Sequence, residues 1–412
     1  MAEIPSLLLL AVTVLLLLLR PFGTRESTWA ALGAAIAIAA GWISPREIGG
    51  LLLEIAPVLG FLVGITVVAA LAAQAGVFRV FGLSLARAAG GSRLRLFVGY
   101  FTFAVLVTWV LSLDATAVLL TPVAVAVARA ARVPLRPLAL GTIFAANATS
   151  LLLPMSNLTN LLVAQRADLH LFAFARIMAL PAFATALATG AWIGFLYRHE
   201  ITGSCVVPPA TEASGGARYR LNRNCVLLLL PAFVLGSVFG VRAPVVALGA
   251  AASMLLLHGW HGYRVEGRAA LVPWNLVTMF VGLYVLVAAA HDHGLAGDLR
   301  RLLAPHAGAA FGDLLVTAGA TALLANLTNN LPAFLALAPE AGGHQLFAVL
   351  IGANTGSGVT PIGSLATLLF FDVLRREGAE YLPGWLAWMR TSLLLTVPVL
   401  LVAVLALYAS PG

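Results

Sequence analysis

Long runs of apolar residues, interrupted only by short arginine-bearing or turn-rich connections, leave this chain little choice of fold. They lie near 5–20, 27–43, 51–75, 96–128, 137–165, 170–197, 224–240, 243–258, 271–290, 310–338, 345–373 and 384–409. A segment that crosses hydrocarbon must satisfy its own backbone, so these runs read as membrane helices. With 61% hydrophobic and 10% charged residues in 412, a water-soluble globular domain is excluded. The expected fold class is an all-α polytopic membrane protein. The run from Leu7 to Leu19 resembles a signal-peptide core but has no basic region before it and no small-residue cleavage site after it, so it reads as a retained first helix.

The formal charge of +8 rests on arginines grouped between apolar runs, which is a topology signal rather than a nucleic-acid footprint. Two runs, 96–128 and 310–338, are too long for one span and carry polar residues near their centres. Arg79, Arg87, Arg93 and Arg95 precede the first, and Arg129, Arg132 and Arg136 follow it, so both flanks read as cytoplasmic and the run as a re-entrant hairpin. With hairpins at both places, inside loops hold 17 arginines and outside loops six, with Arg390 in the last span. The expected plan is ten spanning helices and both termini outside the cytoplasm. Residues 1–197 form a first repeat, with hairpin 96–128 and broken helix 137–165; 198–223 is a cytoplasmic linker; 224–412 is a second repeat, with hairpin 310–338 and broken helix 345–373. Five spans per repeat invert the second copy. Ala146 to Ser150 with Pro154, Leu158, Leu161 and Leu162 recurs as Ala353 to Ser357 with Pro361, Leu365, Leu368 and Leu369, at a constant offset of 207.

Four polar interruptions should converge at the middle of the bilayer. They supply Asp114 and Thr116; Asn147, Thr149, Ser150, Ser156 and Asn157; Asn326, Thr328, Asn329 and Asn330; and Asn354, Thr355, Thr360 and Ser364. Helices restarting there would present N–H groups and partial positive charge to solute oxygens. Pro154, Pro332 and Pro361 stand where a restarting helix tolerates a missing N–H. The bland alternative is that these amides and hydroxyls satisfy one another. Asp114 is the one carboxylate deep in an apolar run, where a charge costs about 2.5–3.5 kcal/mol, which makes it the candidate proton or cation carrier. Its plain structural role would be to cap an arm beginning near Thr116. Glu54, Asp313 and Asp372 lie near segment ends, His291-Asp292-His293 reads as a solvated outer loop, and Arg264 to Arg268 as an interfacial turn. Cys205 and Cys225 are too few for a disulfide framework, and no cofactor, metal spacing, nucleotide-binding glycine loop or nucleophile–base pair is found.

The segment Thr360-Pro361-Ile362-Gly363-Ser364-Leu365-Ala366-Thr367-Leu368-Leu369 resembles the arsenical-pump membrane proteins, ArsB-type arsenite and antimonite permeases of the ion transporter superfamily. Asp114 with Leu120-Thr121-Pro122, Ser156-Asn157-Leu158 with Asn160, Asn329-Asn330-Leu331-Pro332, and Pro273-Trp274 are similar to that family in order and spacing. The resemblance, from about residue 50 onward, implies a secondary transporter of the inner (plasma) membrane exporting arsenite or antimonite against protons. Its partners would be those metalloids, protons and the bilayer, with a separate cytosolic ATPase subunit and a homodimer left open. The chain departs from the pattern at Asn147 and Asn354, where some members carry Asp, and at Gly358, where some carry a basic residue, which puts more weight on Asp114. A sodium-coupled di- or tricarboxylate transporter, or a sodium/proton antiporter, on the same scaffold is the alternative.

Overall fold

A computed structural model describes residues 3–19, 24–209, 216–267 and 271–410, so Arg20, Arg268 and the middle of the connecting segment lie outside the described residues. Among the described residues every regular element is helical. The first half comprises α1 (Glu3–Leu19), α2 (Glu26–Ala39), α3 (Pro45–Gln74), α4 (Val77–Ala88), α5 (Arg93–Val110), α6 (Leu113–Ala131), α7 (Leu135–Thr149), α8 (Leu158–Arg166) and α9 (Leu171–Leu196). A single turn, α10 (Arg198–Ile201), leads to α11 (Ala217–Val238), α12 (Ala243–Trp260), α13 (Trp274–Ala290), α14 (Ala296–Leu303), α15 (Phe311–Thr328), α16 (Asn330–Leu337), α17 (Gly343–Asn354), α18 (Leu365–Arg376) and α19 (Trp385–Tyr408). Nine of the described helices are long and apolar enough to cross a membrane, with α1 and α2 as shorter apolar helices, which establishes the all-α polytopic class.

Besides the single turn α10, two helices, α4 and α14, have no counterpart among the apolar runs. Each buries one stripe, Val77, Phe78, Leu83 and Ala86 in α4 and Leu299 and Leu303 in α14, while Arg79, Arg87, Asp298 and Arg301 stay exposed. A run-length reading dilutes such one-sided helices with their polar face.

Helices α5 and α6 fold back on each other. The Tyr100 hydroxyl donates to the Leu120 carbonyl at 2.8 Å although the two are 20 positions apart, a spacing of about 30 Å in one straight helix. Near the tip, the Thr108 and Thr116 hydroxyl oxygens lie 3.0 Å apart. The connecting segment straps both ends of the pair, because the Cys205 N–H donates to the Gly91 carbonyl at 2.8 Å and the Val206 N–H to the Ala131 carbonyl at 2.9 Å. Helices α15 and α16 also return to where they entered. The Gln345 amide, opening α17, donates at 2.9 and 3.1 Å to the carbonyls of Leu303 and His306, which precede α15.

The halves interlock, α2 lying against α13 and α3 against α12. Both crossings are close enough to require glycine. A Cβ at position 282 would stand 2.6 Å from the Ala30 carbonyl, and one at position 64 would stand 2.6 Å from that of Ala247. Lipid offers no hydrophobic drive for helices to associate, so such close backbone contact is a main source of adhesion.

The two broken helices cross-brace at the centre. The Asn147 amide donates to the Thr367 hydroxyl at 2.9 Å, and the Asn354 amide donates to the Asn160 side-chain oxygen at 2.9 Å. These bonds are counterparts, since Asn354 follows Asn147 and Thr367 follows Asn160 by the same 207 positions. The Thr355 hydroxyl closes the brace on the Ala148 carbonyl at 3.2 Å, a pair that is itself 207 apart. All the side chains involved are buried, so each bond replaces a group that would otherwise be unsatisfied.

Two stability outcomes follow from this packing. Gly64→Leu or Gly282→Leu must spread a helix crossing and should destabilise by about 1–3 kcal/mol, seen as a lower melting temperature in detergent, whereas Gly249→Leu, with open space around it, should not. In a double-mutant cycle, Asn354→Ala and Asn160→Ala should show a coupling of about 0.5–1.5 kcal/mol; strict additivity would mean that the brace carries no energy.

Candidate functional site

Four helices, α6, α8, α16 and α18, start at the breaks, and their caps are the small polar residues the sequence provides. The Ser112 hydroxyl accepts from the Ala115 N–H at 3.3 Å, Asn157 Oδ1 from the Thr159 N–H at 3.3 Å, and Asn329 Oδ1 from the Leu331 N–H at 3.4 Å. Ser364 caps α18 by position, its buried hydroxyl having no hydrogen-bond partner among the described residues. At both hairpin tips a residue other than glycine takes a positive φ, 149° at Ser112 and 89° at Asn329. Such backbone is costly and persists only when its surroundings hold it. Here the Trp109 indole N–H donates to the Thr149 carbonyl at 2.8 Å beside the first tip. At the second, the Asn329 amide reaches the Ile362 carbonyl at 3.0 Å and the Asn330 N–H the Gly363 carbonyl at 2.8 Å.

The plain alternative for Asp114, capping an arm that starts near Thr116, does not hold. The arm starts at Leu113 and its cap is Ser112, whose short hydroxyl reaches the N–H three residues on. Asp114 is therefore left in the first turn with no hydrogen bond or ion pair to its carboxylate among the described residues. It lines a cavity of about 30 Å³, room for a water, together with Asn157 and Leu158 of α8 and with Asn329, Asn330 and Leu331 at the head of α16. Leu365, opening α18, completes the ring, and Met279 and Phe280 of α13 close the side. Four helix N-termini thus surround one carboxylate. The Asn330 side chain, also unbonded among the described residues, is the free amide beside it.

The other sequence candidates divide by what holds them. Asn326 is a clamp: its amide donates to the carbonyls of Ala322 and Gly356 at 2.8 and 2.7 Å, and its oxygen accepts the Thr360 N–H at 2.8 Å. The Thr360 hydroxyl donates to the Asn326 carbonyl at 2.8 Å. Ser150 accepts from the Asn157 amide at 3.4 Å, and the Ser156 hydroxyl donates to the Leu153 carbonyl at 2.7 Å. Thr149 and Thr328 bond back to the carbonyls of Ala145 and Leu324 in their own helices, and Thr116 to that of Ser112. Asn147, Asn354 and Thr355 form the cross-brace, where Asn147 Oδ1 is buried without a partner among the described residues. Of the fifteen candidates, only Asp114, Asn157, Asn329 and Asn330 reach the cavity wall.

Sequence reasoning named Asn160 and Thr367 only within the motifs of the family resemblance and missed their part in the brace; the 207-residue offset that pairs them with each other was the available signal. Met279 and Phe280 gave none, being apolar residues in an apolar helix. The expected solvated loop at His291-Asp292-His293 holds for Asp292, which is exposed, but not for the imidazoles: the segment is a kink after α13, with non-helical backbone at His293 and Gly294, where His291 bonds the Ala336 carbonyl at 2.8 Å and His293 the Ala289 carbonyl at 2.8 Å. The last carbonyls of a helix lack intrahelical partners, and a histidine ring can supply them. No group of three metal-binding side chains occurs among the described residues.

Chemically, helix N-termini and a free amide offer hydrogen-bond donors, and Asp114 offers an acceptor that becomes a donor when protonated. Such a wall can hydrogen-bond an oxygen-bearing ligand, and that binding can depend on one proton.

The sequence profile of the citrate transporter family (CitMHS) matches residues 13–346. An arsenical pump membrane protein of Escherichia coli is 27% identical over 413 residues, covering 96% of each chain. One of E. coli strain K12 is 26% identical over 415 residues and one of Yersinia enterocolitica 27% over 417, each again covering 96% of both chains. A match that extends from within α1 into α17 takes in both hairpins and the whole cavity wall except Leu365. The chain accordingly belongs to the citrate transporter family, multi-pass membrane transporters of the ion transporter superfamily.

Proposed function

We propose that the protein exports trivalent arsenic and antimony hydroxides in exchange for protons, with Asp114 as the coupling carboxylate. One observation carries this reading: an unpaired carboxylate at the meeting point of four helix N-termini. Arsenite near neutral pH is largely the uncharged trihydroxide, whose oxygens accept from helix-terminal N–H groups and whose hydroxyls donate to an ionised carboxylate. A proton on Asp114 turns that acceptor into a donor and weakens the site, so solute and proton take turns. The names of the relatives, arsenical pump membrane proteins matched over 96% of the chain, support the same substrate.

The family's name points instead to citrate, and the cavity argues against it here. No cationic side chain lines the cavity among the described residues, and a polyanion would face Asp114. Capture by sulfur is equally disfavoured, since a thiolate site would want three cysteines and the chain has two.

For the transport cycle, the reading takes the halves as inverted repeats with both termini outside the cytoplasm, so that the cavity can open alternately to either side while the hairpin-bearing helices move against the rest. The constant 207-residue offset and the reciprocal brace support this arrangement. The proton gradient supplies the work, and an ATPase subunit would be an addition to the site rather than part of it.

In everted membrane vesicles, arsenite accumulation should collapse when the proton gradient is dissipated, and Asp114→Asn should lower gradient-driven accumulation at least tenfold. Accumulation that survives dissipation, or an Asp114→Asn variant with unchanged accumulation, would contradict proton coupling.

A further inference from the structure

A second cavity, of about 440 Å³, lies beside the first and is much larger. The same three helices line both. On α8, Leu158 faces the Asp114 cavity and Leu162 the larger one; on α13, Phe280 and then Tyr284; on α16, Leu331 and then Leu335. Each step is four residues, one turn, so the large cavity begins about 6 Å along the bundle from the small one on all three helices. Phe280 and Tyr284 stack between them with ring centres 6.0 Å apart. The remaining walls come from the segments that the arginine pattern places outside the cytoplasm.

Glu54 of α3 stands in this vestibule, exposed, and accepts a hydrogen bond from the Tyr284 hydroxyl at 2.9 Å. The charged or titratable groups around it are Glu47 on its own helix, Arg166 from α8, Tyr284 from α13, and His291 and Asp292 from the turn after α13. Arg166 is engaged with the Pro339 carbonyl at 2.7 Å, and His291 with the Ala336 carbonyl at 2.8 Å, its other ring nitrogen lying 3.9 Å from Glu340. Glu54 is thus a water-accessible carboxylate fixed by a tyrosine that sits one turn above the floor of the Asp114 cavity. The transport site itself has no such group on its wall besides Asp114.

We propose that Glu54 is a second proton site, the relay carboxylate through which protons from the vestibule reach Asp114. It takes a proton from bulk water onto a carboxylate oxygen and passes it to a water bridging toward Asp114, which becomes protonated as Glu54 returns to its ionised form. The bridging water accepts the proton leaving Glu54 and gives one of its own to Asp114, so the water is unchanged and the net event is the transfer of one proton. Tyr284 holds the carboxylate over the floor and is a positioning residue. The inference rests on proton-coupled export by way of Asp114.

The test compares two fluxes in everted vesicles. In Glu54→Gln the side chain can still accept from Tyr284 but cannot carry a proton. Arsenite accumulation driven by an acid interior should fall at least tenfold, while arsenite counterflow, in which solute exchanges for solute and no proton need cross, should stay within twofold of wild type. Glu54→Asp should recover at least half of the driven accumulation. Unchanged driven accumulation in Glu54→Gln would overturn the proposal, and so would equal loss of both fluxes, which would mark Glu54 as structural. Wild-type protein that shows counterflow but no proton-driven accumulation would remove the proton-coupled reading itself, and the relay with it.

Discussion

The reciprocal amide bonds from Asn147 to Thr367 and from Asn354 to Asn160 are the constraint on which the rest of the centre depends. Helix breaks inside a membrane bundle leave backbone groups that lipid cannot satisfy, and protein must satisfy them instead. Here each break is satisfied partly by its own half and partly by the other. Asn160 shows both duties at once, its amide donating to the carbonyls of Ser150 and Leu153 while its oxygen receives Asn354. Remove the brace and the two unwound segments lose their common reference. The four helix starts would then no longer aim at one point.

That aim gives the cavity its character. Partial positive charge from four helix ends gathers around one carboxylate, and the two hairpin tips are held in costly backbone by bonds to the neighbouring breaks. The brace pairs positions 207 residues apart, yet the residues that the two hairpins bring to the cavity differ in chemistry. Where the first hairpin brings Asp114, the second brings Asn329 and Asn330, so the cavity wall carries one carboxylate facing amides among the described residues. The larger vestibule beyond Phe280 and Tyr284 begins one helical turn away on α8, α13 and α16, and Glu54 stands exposed in it.

The helical frame was legible in the sequence because hydrocarbon enforces it: runs such as 51–75 and 384–409 have almost no other stable form. Helices α4 and α14 escaped because their polar faces hide a one-sided apolar stripe. At the centre, polarity marked the right stretches but could not sort their members. Asn326 and Asn330 are the same residue type four positions apart across the hairpin tip, yet the first is fully occupied holding Thr360 and Gly356 while the second has no side-chain hydrogen bond among the described residues and lines the cavity. Asp114 and Thr116 diverge in the same way, one toward the cavity and one toward Thr108. Which face a side chain takes is set by packing between segments far apart in the chain, and Met279 and Phe280 enter the wall by that route alone.

The most direct test of the central claim is the pH dependence of metalloid binding by purified protein, with transport and gradients set aside. If solute and proton compete for Asp114, the apparent affinity for antimonite should weaken as pH falls in the wild-type protein and become independent of pH in Asp114→Asn. The same pH dependence in both proteins would contradict the account.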